Sequence, residues 1–398
     1  MTVFHDAATQ VACESITNWK KEGKPVVGYT CSYAPAEIFY AGGILPFRLR
    51  GIETDGMEIG DTYFGPFICS FPKCILQLAG KGKFSFLDGA IITPGCDGMR
   101  RLDECWRKAG EDFEGIVPDY FYYFDVPHKS ENHGMAWYIE EVKELIKSLE
   151  THFKVSITSE KLKLAIKEFN KGRRLLNDIE NMRFTEDVVV SGTEVFAATV
   201  AGTVMPRDEY TGELKKWVTA LKKRKTSLSK GKHRVMLVGS VSDEIDLFKL
   251  IEDTDKAIIV GENLCFGIRY EGNEIREDGD PIEAMAAHYL GSSVCPRMYG
   301  KYKERLALLK ERIYRSQAVG VIMQNIRFCD LHGAENALFE KDLEALGIPC
   351  LRVEREYGPH IDAGRMKLRI NAFLERIDGS VKKPALKSKP AEAMSVSA

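Results

Sequence analysis

The chain has 398 residues, with 56 Lys+Arg against 58 Asp+Glu, a formal net charge of −2, 44% hydrophobic and 29% charged residues. These are the values of a soluble globular protein, and they exclude a disordered, collagen-like or coiled-coil chain. The absence of a basic excess argues against a nucleic-acid partner. No run approaches the ~20 apolar residues of a membrane span, and no basic region precedes an apolar stretch at the N-terminus. A cytoplasmic protein without a membrane partner is expected.

Residues 1–24 read as a short helix and linker. A first α/β domain is expected over 25–134. Val26 to Thr30 is an apolar strand, and PAEIFYAG (35–42) opens a helix with Pro and closes it with Gly. GILPFRLRG (43–51), FLDGAIIT (86–93) and FYYFDV (121–126) are further strands, and GMRRLDECWRKAG is helical. Alternation of strand and helix predicts a largely parallel sheet. Residues 135–232 form a helical segment ending in the basic linker KKRKTSLSKGKH. Two apolar series recur there at helical spacing: Trp137, Ile139, Val142, Leu145, Ile146 and Leu149, then Leu162, Leu164, Ile166, Phe169, Leu175, Leu176 and Ile179. A second α/β domain is expected over 233–380, with strands at VMLV (235–238), AIIV (257–260), VGVIM (319–323) and IPCLRV (348–353). The tail 381–398 is rich in Lys, Pro, Ala and Ser and reads as disordered. The order strand, loop, Cys-Asp, helix occurs in both GAIITPGCD and GVIMQNIRFCD, which suggests a divergent duplication.

No Walker-type loop, no G-x-G-x-x-G after a strand, no H-E-x-x-H and no G-x-S-x-G is present. The ten cysteines carry the chemical signal instead. A reducing compartment argues against disulfides, and no C-x-x-C pair supports a zinc ribbon or thioredoxin-type site. Cys31, Cys96, Cys265 and Cys329 each fall just beyond a predicted strand, where open α/β sheets bind ligands. Cys69 and Cys74 lie in YFGPFICSFPKC, and Cys295 lies in GSSVCP. Thiolates gathered at strand ends can hold an iron–sulfur cluster, whereas any one of them alone can equally be a small buried core residue. Cys13, Cys105 and Cys350 lie inside helix or strand patterns and read as core. Glu37 is either a general base or a carboxylate favoured in a helix first turn. His332 is either a proton or hydrogen-bond donor beside a cluster or a structural histidine. Arg100 and Arg101 either meet an anionic ligand or form a solvated face.

Several stretches together resemble a known family. They are GYTCSYAPAEIFYAGGILPFRL, FICSFPKC, FLDGAIITPGCDGMRRLDECW, YFDVPH, GENLCFGIRY, DGDPIEAMAAHYLGSSVCP, IRFCDLHGAENALFEKDLEALGIPCLRVE and GRMKLRINAFLERI. They span about 26–377 and resemble the iron–sulfur subunits of 2-hydroxyacyl-CoA dehydratases and ATP-dependent benzoyl-CoA reductases. The resemblance implies two flavodoxin-like (Rossmann-like) parallel-sheet domains, with a helical segment between them and a cluster in the interdomain cleft. It maps the three thiolates of a [4Fe–4S] cluster onto Cys69, Cys96 and Cys329. A further branch of the family holds a double-cubane [8Fe–9S] cluster, and its additional positions resemble Cys265 and Cys295. Six thiolates are expected there by ligand counting, and Cys74 is the candidate sixth.

The implied activity is one-electron, ketyl-radical chemistry on an acyl-CoA thioester. The implied partners are a sister subunit or an identical chain, and a separate ATP-hydrolysing iron–sulfur activator, which fits the missing phosphate loop. The cysteine count favours benzoyl-CoA-like reduction over (R)-2-hydroxyacyl-CoA dehydration. A homodimeric double-cubane reductase of small molecules and a non-catalytic partner subunit are the other readings.

Overall fold

In the computed structural model, residues 1–267, 272–292, 295–358 and 362–379 are described. The expected disordered tail, 381–398, lies outside them. Two four-stranded sheets, each all-parallel, form the two α/β units. The first has β1 (Val26–Tyr29), β2 (Leu45–Arg48), β3 (Gly89–Ile92) and β4 (Tyr120–Tyr123) in the order β2-β1-β3-β4. The second has β5 (His233–Gly239), β6 (Ala257–Asn263), β7 (Gly320–Ile326) and β8 (Cys350–Arg355) in the order β6-β5-β7-β8. The two orders are the same, as the repeated strand–Cys-Asp pattern suggested. The strands β1, β3 and β6 are buried along their whole length, which suits near-continuous apolar runs such as VVGY and GAII.

The chain runs outward from the central strand to one edge, then returns to build the other. The reversal falls between β1 and β3 in the first sheet and between β5 and β7 in the second. Such a switch point opens a crevice at the carboxyl ends of the strands. The helices α1 (Thr2–Thr9), α2 (Glu14–Lys21), α3 (Ala36–Ala41), α4 (Glu58–Tyr63), α5 (Ser70–Gly80) and α6 (Asp97–Asp112) belong to the first half. In α6 the core face is Met99, Leu102, Trp106 and Ala109, at helical spacing.

The helical segment contains α7 (Asn132–Phe153), α8 (Ser159–Arg183), α9 (Gly192–Ala201) and α10 (Arg207–Leu221). Two of the apolar residues expected to face the core do not. Trp137 is 53% exposed and Leu164 is 61% exposed. The buried stripe of α7 runs through Tyr138, Val142, Leu145 and Leu149. Trp137 stands one position off that stripe, where its Nε1 donates to Glu141 (3.1 Å). The N-terminal stretch is also more than a linker. Phe4 is buried against Tyr210 and Trp217, and Arg50 donates to the Ala7 and Ala8 carbonyls at the end of α1. Among the described residues, no helix is long and apolar enough to cross a membrane.

Candidate functional site: thiols at helix N-termini

Three cysteines from three separate segments each stand at the N-cap of a helix. Cys69 opens α5, Cys96 opens α6, and Cys329 opens the helix Asp330–Glu344. Cys96 follows β3 through the loop Thr93–Gly95, and Cys329 follows β7, so the two occupy equivalent places in the two sheets. Phe328, just before Cys329, adopts a left-handed conformation (φ 64°), which is costly for an aromatic residue and common at functional sites.

The three thiols lie within electrostatic reach of one another. Burial pushes the Cys69 thiol well above its ordinary range, and the charges of Cys96 and Cys329 push it further. Burial raises Cys96 to about 11; the Met99 and Gly98 amides oppose the shift, while Cys295 and Cys265 add to it. Burial raises Cys329 to about 12, opposed by the His332 amide and reinforced by Cys96, Cys265 and Cys295. The opposing amides belong to helix first turns, where the dipole favours negative charge. Five of the sequence-predicted cysteines are therefore brought together: Cys69, Cys96, Cys265, Cys295 and Cys329.

Hydrogen bonds hold the surrounding loops. Cys265 follows β6, and its carbonyl accepts from Arg48 Nη1 (2.7 Å) and Ser32 Oγ (3.3 Å). Arg297, two residues after Cys295, donates from Nε to the Pro94 carbonyl (3.0 Å) and from Nη1 to that of Pro127 (2.7 Å). Sequence reasoning passed over Arg48 and Arg297, because an isolated arginine in a strand or loop carries no pattern.

The other predicted residues are placed differently. Cys74 is fully buried within α5, and burial raises its thiol to about 12. Glu37 is fully buried in the first turn of α3, where its Oε1 accepts from Arg173 Nη2 (2.7 Å) and its Oε2 from the Tyr289 hydroxyl (2.7 Å). Burial raises its pKa, but Arg173 and Tyr289 outweigh that and the carboxyl lies below its usual range. Tyr289 comes from a π-helix, Ala287–Gly291, an element that signals function and that no apolar period announces. His332 lies buried in the first turn of the helix that Cys329 opens. Arg100 and Arg101 are exposed on α6 and pair with Asp97 (3.3 Å) and Glu104 (2.7 Å) of the same helix, as a solvated face does.

Among the described residues, no three His, Cys, Asp or Glu side chains converge as ligands of a single metal ion. Ligands of a multi-iron cluster bind separate irons and stand farther apart, so donor type and environment decide the fit. The donors here are thiols alone, the ligand type of iron–sulfur clusters. Arg48 Nε beside them is buried and has no hydrogen-bond partner among the described residues.

The family model described as HGD-D, 2-hydroxyglutaryl-CoA dehydratase, D-component, matches residues 31–377. The chain is 30% identical over 321 residues to a benzoyl-CoA reductase subunit of Thauera aromatica, covering 78% of this chain and 81% of that one. It is 25% identical over 340 residues to the (R)-phenyllactyl-CoA dehydratase beta subunit of Clostridium sporogenes, covering 85% and 88%. It is 23% identical over 370 residues to the beta subunit of (R)-2-hydroxyglutaryl-CoA dehydratase of Acidaminococcus fermentans, covering 91% and 95%. The chain belongs to this family of acyl-CoA dehydratase and benzoyl-CoA reductase components and is an enzyme subunit.

Proposed function

We propose that the chain is an iron–sulfur subunit that acts on acyl-CoA thioesters, with Cys69, Cys96 and Cys329 as the thiolate ligands of a [4Fe–4S] cluster. The observation that carries this reading is that all three thiols stand at helix N-termini and lie within electrostatic reach of one another. Such a cluster, when bound, supplies a low-potential electron for one-electron chemistry at a thioester carbonyl. The chain's own residues do the rest. Helix first turns favour the thiolate form of each ligand. The buried guanidinium of Arg48, which donates to the Cys265 carbonyl, offsets negative charge at these thiols. Glu37 anchors Arg173 and Tyr289 in this reading, since both of its oxygens are engaged. In this reading His332, buried in the first turn of the helix that Cys329 opens, is the candidate proton or hydrogen-bond donor beside the cluster.

The partners proposed are a sister subunit or a second copy of the chain, and a separate ATP-hydrolysing activator, because the sequence carries no phosphate loop of its own. Among the relatives named above, the benzoyl-CoA reductase subunit has the highest identity, which supports aryl-CoA reduction. The second reading is (R)-2-hydroxyacyl-CoA dehydration, supported by the description of the family model and by the two dehydratase relatives.

The test begins with protein purified without oxygen, alone and with its partner subunit. Iron and acid-labile sulfide are expected in the wild type and are expected to fall sharply in Cys96→Ala. With activator, ATP and a strong one-electron reductant, benzoyl-CoA should take up two electrons and two protons to give a cyclic dienoyl-CoA. Turnover of a 2-hydroxyacyl-CoA to the enoyl-CoA instead would favour the dehydratase. Iron unchanged by Cys96→Ala would sink the cluster assignment. A wild type without iron would point to a partner subunit that does no chemistry.

A further inference from the structure

We propose that Arg48, Arg173 and Arg207 form a carboxylate-binding recess beside the thiols, and that the acyl group of the substrate carries a second carboxylate which this recess holds. The inference rests on the acyl-CoA reading and names the substrate class within it. It holds for either reaction, since that carboxylate can stand on a ring or on a chain.

The recess lies at the carboxyl ends of β1 and β2. Tyr29 and Arg48, the last residues of those strands, line it together with Phe169 and Arg173 of α8, Arg207 at the start of α10 and Tyr289 of the π-helix. It adjoins the thiol site, because Arg48 Nη1 donates to the Cys265 carbonyl (2.7 Å) and Ser32, in the same wall, donates to that carbonyl as well (3.3 Å). The far end of an acyl group whose thioester is held at the thiols is therefore close to it. Its free interior is about 20 Å³. That is room for a water-sized group. A carboxylate head comes near that size, whereas a phosphate or an aromatic ring is larger.

The charges select an anion. Among the described residues, the walls carry three guanidinium groups and no carboxylate. Glu37, outside the walls, accepts from Arg173 Nη2 (2.7 Å) and balances one of the three. All three arginines are more than nine-tenths buried. Arg48 Nε has no hydrogen-bond partner among the described residues, and a buried donor without an acceptor is costly. A carboxylate in the recess supplies that acceptor, and the planar guanidinium matches its geometry. Arg207 lies over the Phe169 ring at 3.8 Å. The two acids that follow it are engaged elsewhere, Asp208 by the Tyr40 hydroxyl (2.8 Å) and Glu209 by Ser15 Oγ (2.8 Å). Gly172 makes room for Arg207, since a Cβ there would stand 3.0 Å from Arg207 Nη1.

The experiment measures binding by calorimetry to the anaerobically purified chain with its partner subunit, without activator or reductant. Glutaryl-CoA is compared with valeryl-CoA, which has the same chain length and ends in a methyl group. Glutaryl-CoA should bind at least about tenfold more tightly, as one charge-assisted hydrogen bond implies. Arg207→Met should bring the two affinities together, and Gly172→Ala, which crowds the guanidinium, should narrow the gap. Circular dichroism checks that each variant is folded; if Arg207→Met is not, Gly172→Ala decides. Equal affinities in the wild type, or a gap that survives in the deciding variant, would overturn the proposal. Free glutarate should compete the preference away. Inorganic phosphate doing so where glutarate does not would overturn it too, and would assign the recess to a phosphate of the coenzyme. If neither acyl-CoA binds, the acyl-CoA reading falls with it. None of these outcomes depends on iron, so the cluster assignment is judged separately.

Discussion

A thiol buried among other thiols keeps its proton, and here that has a thermodynamic consequence. Burial raises Cys96 to about 11 and Cys329 to about 12, above an unshifted value of 9.0. Below the unshifted value both folded and unfolded chains keep these protons, and the contribution to stability is complete. Above it the unfolded chain ionises first and binds fewer protons, so folding stability falls as pH rises until the folded thiols ionise too. The iron-free protein should therefore lose melting temperature between about pH 8 and about pH 10, and Cys96→Ser should lose less of it. Equal slopes in the two proteins would show that this thiol is not perturbed. Cluster binding must expel the same protons, so loading with iron and sulfide should be easier at the alkaline end of this range.

The element that presents a ligand must itself be fixed. Helix α6 places Cys96 by burying its opposite face, and its largest anchor is Trp106. That ring is fully buried, packs edge-on against Phe121 at 5.5 Å, and donates from Nε1 to the Ile116 carbonyl (2.8 Å). Trp106→Ala should cost about 3–5 kcal/mol in denaturant unfolding. Its iron content should fall with the loosened helix start, while a loss below about 1 kcal/mol would show that α6 is held from elsewhere. Such elements are legible in a sequence when one physical signal dominates. The buried parallel strands are continuous apolar runs, and every predicted strand lies on or beside an observed one. The Cys-Asp loops are equally plain, since a helix N-terminus follows a strand within a few residues. Trp137 and Leu164 were misplaced because several apolar residues fit a helical period and only the packing partner fixes its phase. The bonds that tie the Cys265 loop to Ser32 and the Cys295 loop to Pro94, and the π-helix that delivers Tyr289, depend on segments distant in the chain and leave no local trace.

The whole molecule depends on how its two sheets are held, because Cys69 and Cys96 come from one half and Cys329 from the other. A buried polar network joins the halves beside the thiols. Arg50 Nε donates to Asp243 Oδ2 (2.8 Å), and both side chains are fully buried. The Tyr357 hydroxyl donates to Asp243 Oδ1 (2.6 Å) and accepts from the Gly51 amide (2.9 Å). The Tyr357 amide donates to Ser70 Oγ (2.9 Å), and Ser70 is the residue after Cys69. Arg50 also holds the end of α1 through the carbonyls of Ala7 and Ala8. One guanidinium thus links the N-terminal helix, the first sheet and the second domain. Removing it leaves Asp243 as a buried, uncompensated charge, so Arg50→Ala should cost about 3–5 kcal/mol of unfolding free energy. Ser70→Ala removes the outer contacts alone, the one from the Tyr357 amide and the one that Ser70 Oγ donates to Glu356 Oε2 (2.9 Å), and should cost about 1–3 kcal/mol. If the network also sets the distance between Cys69 and Cys329, Ser70→Ala will change the resonance spectrum of the bound cluster out of proportion to its small loss of stability. An unchanged spectrum would confine the network to holding the domains together and leave the placing of Cys69 to helix α5 alone.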